Sequence, residues 1–573
     1  MKKRTIVFSL MATLVTLSLI LTSACSSGEE GKPKAGELAD VQAIIFNLGI
    51  ENNTLDPNRA SWSGERSVML QCFDGLLAFD HDLKLVPMVA KQIPTVENKG
   101  ISTDGITYTI KLRTDVTWSD GKKVTAHDFE YSIKRLFDPN LACDYSSFYC
   151  GTTESPLGIA GALEYFSSID KTAAEQAVLK DAVGVKAKDD YTLEIKLRAP
   201  LPTFIQLLAL WPVYPIRQDM VEKYGEAWAK PDATGAMPGY ISNGPFILTE
   251  WVDQDHYTFV RNEKYWGTKP YLTKITYKEI ADNNVSLAAY KNNEIAMSPV
   301  PAGTEKNTMA DPVLSPEIVR VNSLVTYGVQ FNFKKPPFDN KALRQALACA
   351  IDRVAFVEQV RGGVGTPAYS WIPPGMPGYD ATLGLQYKLD PVKAKEYLAE
   401  AKKAYPDGKI PELKYQYSTA GVAPVQAQFI QQQLKVNLGI DLTLEPMDSK
   451  AFSALVNNKG FTWANYGWGA DYPDPDNWLP QLFGTGGGNN KTGYSNPAFD
   501  ALCKKASTEL NETKRLQLWA DAHKMIVEDV VMAFTFNREV FMVKKPWVKG
   551  LFPTGMDGSI GGDMFFREVY IQK

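Results

Sequence analysis

The segment Thr103–Pro139 reads TDGITYTIKLRTDVTWSDGKKVTAHDFEYSIKRLFDP and combines three types of element in a short stretch. In Gly105–Leu112, isoleucine and tyrosine alternate with threonine and lysine, which predicts a half-buried β-strand. Ser119–Gly121 predicts a turn. Asp128–Phe137 carries apolar residues at helical spacing and predicts an amphipathic helix. This segment therefore predicts a mixed α/β protein.

Similar elements continue along the rest of the chain. Val41–Leu48 and Tyr191–Leu197 have the composition of strands. Helical patterns cover Ser286–Lys291, Asn340–Val360, Lys393–Lys403, Val425–Leu438 and Asn511–Val527. Gly439 follows one of these helices directly and predicts its end. The interleaved strands and helices predict a large α/β protein that is divided into lobes.

Composition and charge argue against a nucleic-acid-binding protein. The chain has 573 residues, of which 45% are hydrophobic and 22% charged, as in globular proteins generally. Lys and Arg number 61 against 65 Asp and Glu, so the net charge is -4. A nucleic-acid-binding protein normally has a basic excess or a dense basic stripe. We therefore expect no nucleic-acid partner.

The N-terminus has the pattern of an export signal. Positive charge in Met1–Arg4 precedes an apolar run, Ile6–Leu21, that is short for a membrane span. Small residues then precede Cys25, and the chain becomes polar at once. The Cys after Ser-Ala resembles the lipidation site of bacterial lipoproteins, although Thr22 stands where Leu is usual. Secretion without a lipid is the alternative interpretation.

Export affects how the other cysteines are interpreted. Cys143 and Cys150 lie close together in the sequence. In an oxidising compartment they could form a disulfide, and two buried thiols are the alternative. Cys72, Cys349 and Cys503 each stand alone and are expected to be small core residues.

Motifs for catalysis are missing from the sequence. It contains four His residues, none paired at metal-ligand spacing, and has no Cys-x-x-Cys or Gly-x-Ser-x-Gly. Gly484–Gly488 does not continue into a phosphate-binding Gly-Lys-Ser/Thr and predicts a loop. Asp471, Asp474 and Asp476 lack the spacing of a calcium loop. We expect no enzyme activity, metal or cofactor.

Several motifs together resemble the solute-binding proteins of ABC importers, specifically the peptide/nickel-binding family 5. Thr103–Pro139 is the most specific of them. The others are Thr54–Pro57, Phe73–Leu77, Ser242–Phe246, Phe331–Asn332, Pro336–Asn340, Arg344–Leu347 and Ile351–Arg353. The similarity runs from about residue 41 to the C-terminus. The oligopeptide-binding members are the most similar.

The resemblance implies a two-lobed, type II-like periplasmic-binding-protein fold with an additional inserted domain. The expected divisions are 1–24 as a lipoprotein signal peptide, 25–40 as a flexible tether, 41–84 with 185–322 and 535–573 as lobe 1, 85–184 as the inserted domain, and 323–534 as lobe 2. In this architecture the ligand is enclosed between closing lobes. We expect a monomer outside the cytoplasm, held at the membrane by a lipid on Cys25, with ABC permease subunits as partners.

The candidate ligand-binding segment is Gly467–Asp476. It resembles the Gly-Trp-x-Ala-Asp-Tyr stretch of oligopeptide-binding members, in which the Asp pairs with the peptide α-ammonium. That role carries over to Asp471. Trp468 would provide an apolar wall, and the backbone around Gly467 and Gly469 would pair with an extended peptide. Without the resemblance, a core Trp and a turn-capping Asp fit equally well.

Further ligand contacts are expected from Ser61, Trp62 and Ser63, and from Tyr145 and Phe148, which would cover the ligand. In oligopeptide-binding members an Arg stands three places before the Trp and helps to hold a ligand carboxylate. Asn465 occupies that place here. We expect oligopeptide capture for import. A non-peptide solute such as an oligosaccharide is the alternative, and an exported hydrolase is a third hypothesis.

Overall fold

A computed structural model of the protein describes residues 33, 36–49, 52–141, 143–151, 157–556 and 565–573. The predicted signal peptide, most of the predicted tether and Cys25 lie outside the described residues. Within the described ranges, no helix is both long enough and apolar enough to span a membrane.

The strands, in chain order, are β1 Ala43–Asn47, β2 Leu77–Phe79, β3 Leu85–Pro87, β4 Thr107–Lys111, β5 Val185–Asp189, β6 Thr192–Lys196, β7 Phe246–Val252, β8 His256–Arg261, β9 Lys274–Lys278, β10 Met297–Pro299, β11 Ile318–Phe331, β12 Thr366–Pro367, β13 Leu413–Ser418, β14 Leu442–Met447, β15 Trp463–Gly469, β16 Met532–Lys544, β17 Val548–Lys549 and β18 Tyr570–Ile571.

The α-helices are α1 Ser63–Cys72, α2 Ala126–Arg135, α3 Ser146–Cys150, α4 Ala162–Phe166, α5 Ala173–Ala182, α6 Phe204–Leu207, α7 Gln218–Tyr224, α8 Asn283–Lys291, α9 Glu305–Ala310, α10 Lys341–Cys349, α11 Arg353–Val360, α12 Pro391–Lys402, α13 Ala423–Leu438, α14 Ser449–Asn457, α15 Pro480–Phe483, α16 Pro497–Thr508 and α17 Glu512–Glu528.

One hydrophobic cluster joins two of the sheets and defines the first lobe. The sheets have strand orders β1-β9-β8-β7 and β4-β6-β5, and buried side chains of both belong to this cluster. The alternation predicted for Gly105–Leu112 is present in β4, where Tyr108 and Ile110 are buried. Helix α2 begins at a capping box in which the Asp128 carboxylate accepts a hydrogen bond from the Thr125 N–H at 2.8 Å.

A second hydrophobic cluster surrounds the largest sheet and defines the second lobe. This sheet has the order β10-β16-β11-β15-β13-β14, and β12 adds to β16. The long strands β11 and β16 run through both lobes, because β10 pairs with one end of β16 and β15 with the other end of β11. Their register shifts between Asn322 and Thr326. Such an irregularity bends paired strands locally.

Three predicted domain boundaries, at residues 184, 322 and 534, cut across strands or sheets of the structure. The boundary at residue 184 separates β4 from β5 and β6, which form one sheet with it. The boundaries at 322 and 534 fall inside β11 and β16. Where a lobe begins and ends depends on hydrogen bonds between strands that are distant in sequence. Local sequence patterns do not predict such pairing.

The single helix predicted over Asn340–Val360 is two helices, α10 and α11. The Asp352 side chain caps α11 by accepting a hydrogen bond from the Ala355 N–H at 2.9 Å. An N-cap residue has extended backbone and therefore interrupts a continuous helix. The apolar periodicity continues across this break, which explains the error.

Candidate ligand-binding site

Strand β15 has an unpaired edge beside the candidate segment. One side of β15 pairs antiparallel with β11 along its whole length. On the other side β13 pairs only with Trp463 and Ala464. In the part of the chain that the structure describes, no strand lies against that edge over residues 465–469. Backbone groups on such an edge can pair with an added extended chain.

The Asp471 carboxylate lies at the contact between the two lobes. It accepts hydrogen bonds from the Tyr145 hydroxyl and from the Asn477 side-chain amide, both at 3.0 Å. Burial raises the pKa of Asp471 above its ordinary value, while Asn477, the nearby positive charge of Arg66 and Tyr145 act in the opposite direction. A partly desolvated carboxylate of this kind gains strongly from a cationic partner.

Asn477 fixes the position of the residues around this carboxylate. Its side chain is fully buried. Its amide oxygen accepts hydrogen bonds from the Asp471 N–H at 3.0 Å and from the Trp468 indole N–H at 3.2 Å. Sequence reasoning missed this role, because an Asn after a Pro-Asp turn has no pattern that distinguishes it from a turn residue.

The predicted contacts on β15 have different surroundings. The Trp468 ring is half-buried against the second cluster, so part of it remains available to a ligand. Gly467 lies opposite Tyr327, and a Cβ at Gly467 would come within 2.3 Å of the Tyr327 ring. Gly469 is exposed at the end of the strand.

The predicted covering residues meet the candidate segment. Tyr145 stacks on Phe148 with ring centroids 5.3 Å apart. Phe148 in turn makes an edge contact with Tyr472 at 6.3 Å. Together with the bond between Tyr145 and Asp471, these contacts place two predicted residues of the first lobe against the segment that follows β15.

Ser61, Trp62 and Ser63 lie at the start of α1. The buried Glu65 carboxylate accepts hydrogen bonds from the N–H groups of Ser61 and Trp62, at 2.8 and 3.0 Å. The Ser61 hydroxyl donates to Asp144 at 2.7 Å, which brings it next to Tyr145. Trp62 is 61% exposed. Ser63 is the first residue of α1, so the three predicted contacts form one turn.

Asp474 and Asp476 hold the turn of the candidate segment in place. Arg515 donates to both oxygens of Asp474 at 2.9 and 2.8 Å. Asp476 accepts from Thr203 at 3.1 Å and from Ser507 at 3.0 Å. Within the described residues, no group of His, Cys, Asp and Glu side chains is arranged to hold a metal ion.

Cys143 and Cys150 are buried free thiols in the structure. Of the two alternatives left open by the sequence, the disulfide is therefore absent here. Burial raises the pKa of Cys143 to about 11 and that of Cys150 to about 12. Both cysteines are consequently in the thiol form at neutral pH, and the reactive thiolate is disfavoured.

A carboxylate at the contact between two lobes, beside an unpaired strand edge, suits a binding protein that encloses an extended solute. The chain belongs to the bacterial extracellular solute-binding proteins, family 5, whose model matches residues 84–490. The predicted family and its two-lobed α/β fold are confirmed. Members of this family are binding proteins that act outside the cytoplasm, in agreement with the prediction that this chain is not an enzyme.

Individual relatives cover almost the whole chain. The oligopeptide-binding protein OppA of Bacillus subtilis (strain 168) is 31% identical over 98% of this chain and 99% of its own length. The periplasmic oligopeptide-binding protein OppA of Salmonella typhimurium is 32% identical over 99% of this chain and 98% of its own.

Two solved structures are also similar. The unliganded open form of the periplasmic murein tripeptide-binding protein MppA has a TM-score of 0.75 and 28% identity, covering 94% of this chain and 99% of that one. Haemophilus influenzae OppA in complex with the peptide RPPGFSPFR has a TM-score of 0.73 and 27% identity, covering 94% and 100%.

Proposed function

We propose that this protein is the binding component of an ABC importer and that it captures oligopeptides between its two lobes. The similar proteins named above are peptide-binding proteins, which supports a peptide as the ligand. The observation that carries the proposal is the Asp471 carboxylate, placed between the lobes next to the unpaired edge of β15.

The proposed binding mode uses one fixed charge and a repeating backbone. Asp471 pairs with the peptide α-ammonium, and the edge of residues 465–469 pairs with the peptide main chain. Trp468 packs against a ligand side chain, while Tyr145 and Phe148 cover the ligand. The turn of Ser61, Trp62 and Ser63 contacts it from the first lobe. Because main-chain groups are common to all peptides, this mode accepts many sequences.

Replacing Asp471 with Asn tests the anchor. Asn keeps the size of the side chain but removes its charge. We expect Asp471→Asn to weaken binding of tri-alanine by about 100-fold, since a buried charge pair is worth roughly 2–5 kcal/mol. N-acetyl-tri-alanine, which lacks the ammonium, should bind weakly to both proteins. Isothermal titration calorimetry measures all four affinities.

Asp82→Asn is the matched control, because Asp82 is an exposed carboxylate at the turn between β2 and β3. It should leave both affinities unchanged. Equal losses for free and acetylated peptide in Asp471→Asn would assign Asp471 a structural role instead. Native mass spectrometry of protein purified from cells tests the ligand class, and a uniform non-peptide mass would favour the alternative of another solute.

The membrane arrangement is a further part of the proposal. A lipid on Cys25 would anchor the chain at the outer face of the membrane, and residues 25–40 would connect it to the folded lobes. A monomer would then deliver its ligand to the permease subunits. The lipoprotein-like pattern that ends at Cys25 supports this arrangement.

A further inference from the structure

A small pocket adjoins the unpaired edge of β15. It has a volume of about 250 Å³ and lies between α14 and the start of that edge. Its lining residues are Tyr327, Phe452, Ser453, Val456, Asn457, Asn465, Tyr466 and Gly467. None of them carries a formal charge. A volume of this size accommodates one amino-acid side chain.

Asn465 contributes an unsatisfied polar atom to this lining. Its side-chain amide oxygen is buried and has no hydrogen-bond partner within the described residues. A buried acceptor without a donor costs free energy, which a ligand group could recover by donating a hydrogen bond. Ser453 and Asn457 add neutral polar groups on the helix side of the pocket.

The position of the pocket relates it to a bound peptide. Asn465 and Gly467 line it, and both belong to the edge that would pair with the peptide main chain. In an extended peptide, alternate side chains point to the same side of the backbone. One side chain of a peptide paired with this edge would therefore point into the pocket.

We infer that this pocket is a selective subsite for an uncharged ligand side chain, preferably one that donates a hydrogen bond, such as Gln. This inference rests on the proposed peptide function. Selectivity follows because Gln satisfies the Asn465 oxygen, whereas Glu and Lys would bring a charge into a lining that offers no opposite charge.

A peptide series with one varied position tests the inference. In each peptide, one alanine of penta-alanine, at position two, three, four or five, is replaced by Gln, Leu, Glu or Lys. Calorimetry measures the affinity of each peptide. At one of these positions we expect Gln to bind most tightly, with Glu and Lys about tenfold weaker or more. At the other positions we expect smaller differences.

Two variants connect the selectivity to the pocket. Asn465→Leu should lower the affinity for the Gln peptide about tenfold while leaving the Leu peptide nearly unchanged. Asn457→Lys introduces a cation at the pocket wall and should raise the affinity for the Glu peptide about tenfold. The matched control is Asn458→Lys, because Asn458 is the next residue and lies outside the lining. It should not raise the affinity for the Glu peptide.

The outcomes separate this inference from the proposed function. If the peptides bind but the difference in affinity between charged and uncharged side chains is the same at every position, the inferred subsite is wrong and peptide capture stands. If Asn458→Lys raises the affinity for the Glu peptide as much as Asn457→Lys does, the inference is also wrong, because the added positive charge would then act independently of the pocket. If no peptide binds, the proposed function fails and the subsite fails with it.

Discussion

Three carboxylates in one short segment have different partners and therefore different roles. Asp474 is held by Arg515, and burial raises its pKa to about 6. Within the described residues, the Asp476 carboxylate accepts hydrogen bonds from the hydroxyl groups of Thr203, Tyr472 and Ser507. Among the described residues, the groups that donate hydrogen bonds to the Asp471 carboxylate are neutral. A carboxylate without a directly bonded cation, at a lobe contact, is the one suited to receive a ligand charge.

His523 shows how burial determines the protonation of a single residue. It is fully buried in α17, and its Nε2 accepts hydrogen bonds from the N–H groups of Trp371 and Ile372 at 3.0 and 3.2 Å. Burial lowers the pKa of His523 to about 3. The ring is therefore neutral in the folded protein at pH values where an unfolded chain would protonate it.

Acidification should consequently reduce stability through His523. Between about pH 6.5 and the folded pKa, the unfolded state binds the additional proton, so the free energy of unfolding falls as pH falls, by up to about 1.4 kcal/mol per unit. His523→Gln keeps an acceptor but does not titrate. Thermal unfolding from about pH 7 to about pH 5 should show a steeper loss in the unchanged protein than in the variant. Parallel pH profiles would contradict this expectation.

At the scale of elements, the packing of β15 against β11 depends on Gly467. Tyr327 lies over Gly467 and stacks on Phe536 with ring centroids 4.9 Å apart and an angle of 8°. The aromatic ring occupies the space of a side chain at Gly467. It cannot move aside without losing the stack on Phe536, so this glycine is required by packing.

Gly467→Ala should therefore destabilise the protein. Overpacking of a filled site typically costs about 1–3 kcal/mol, and differential scanning calorimetry would record the loss as a lower unfolding temperature. Gly469→Ala is the control on the same strand, because its Cβ would meet only the Val325 side chain at 3.3 Å. A similar decrease in both variants would show that the Tyr327 contact is not the cause.

At the scale of the whole molecule, hydrogen bonds connect the lobes around the segment after β15. Gln206 of the first lobe donates to Asp474 at 3.3 Å, and Thr203 donates to Asp476. Tyr472 follows β15 in sequence, yet its ring is buried in the first cluster. In the proposed function, these same residues would take part both in closure of the lobes and in ligand binding.

Attachment to the membrane also belongs to this scale. If Cys25 carries the lipid, Cys25→Ser should move the protein from the membrane fraction to the soluble fraction, because a single polar substitution removes the attachment point. Immunoblots of fractionated cells measure the distribution, with Ser26→Ala as the control. Retention of the Cys25→Ser protein in membranes would rule out Cys25 as the anchor.

The sequence predicted the local elements where hydrophobic periodicity and end signals agree. β4 and α2 follow the pattern of Thr103–Pro139, and α13 ends at Gly439, whose φ of 69° is the left-handed conformation that glycine adopts easily. Where a cap interrupts a continuous apolar pattern, as Asp352 does, the prediction failed. The family motifs predicted the two-lobed fold because their order along the chain is specific.

Sequence alone thus determined the class of fold, the binding rather than catalytic role and the candidate ligand-binding segment. The tertiary structure decided which partners each residue of that segment has. Asp471 meets Tyr145 from a sequence separation of 326 residues, and the open edge of β15 exists because β13 pairs with only two of its residues. Such features depend on contacts between residues that are distant in sequence, whereas hydrophobic periodicity predicts only local secondary structure and the face that it buries.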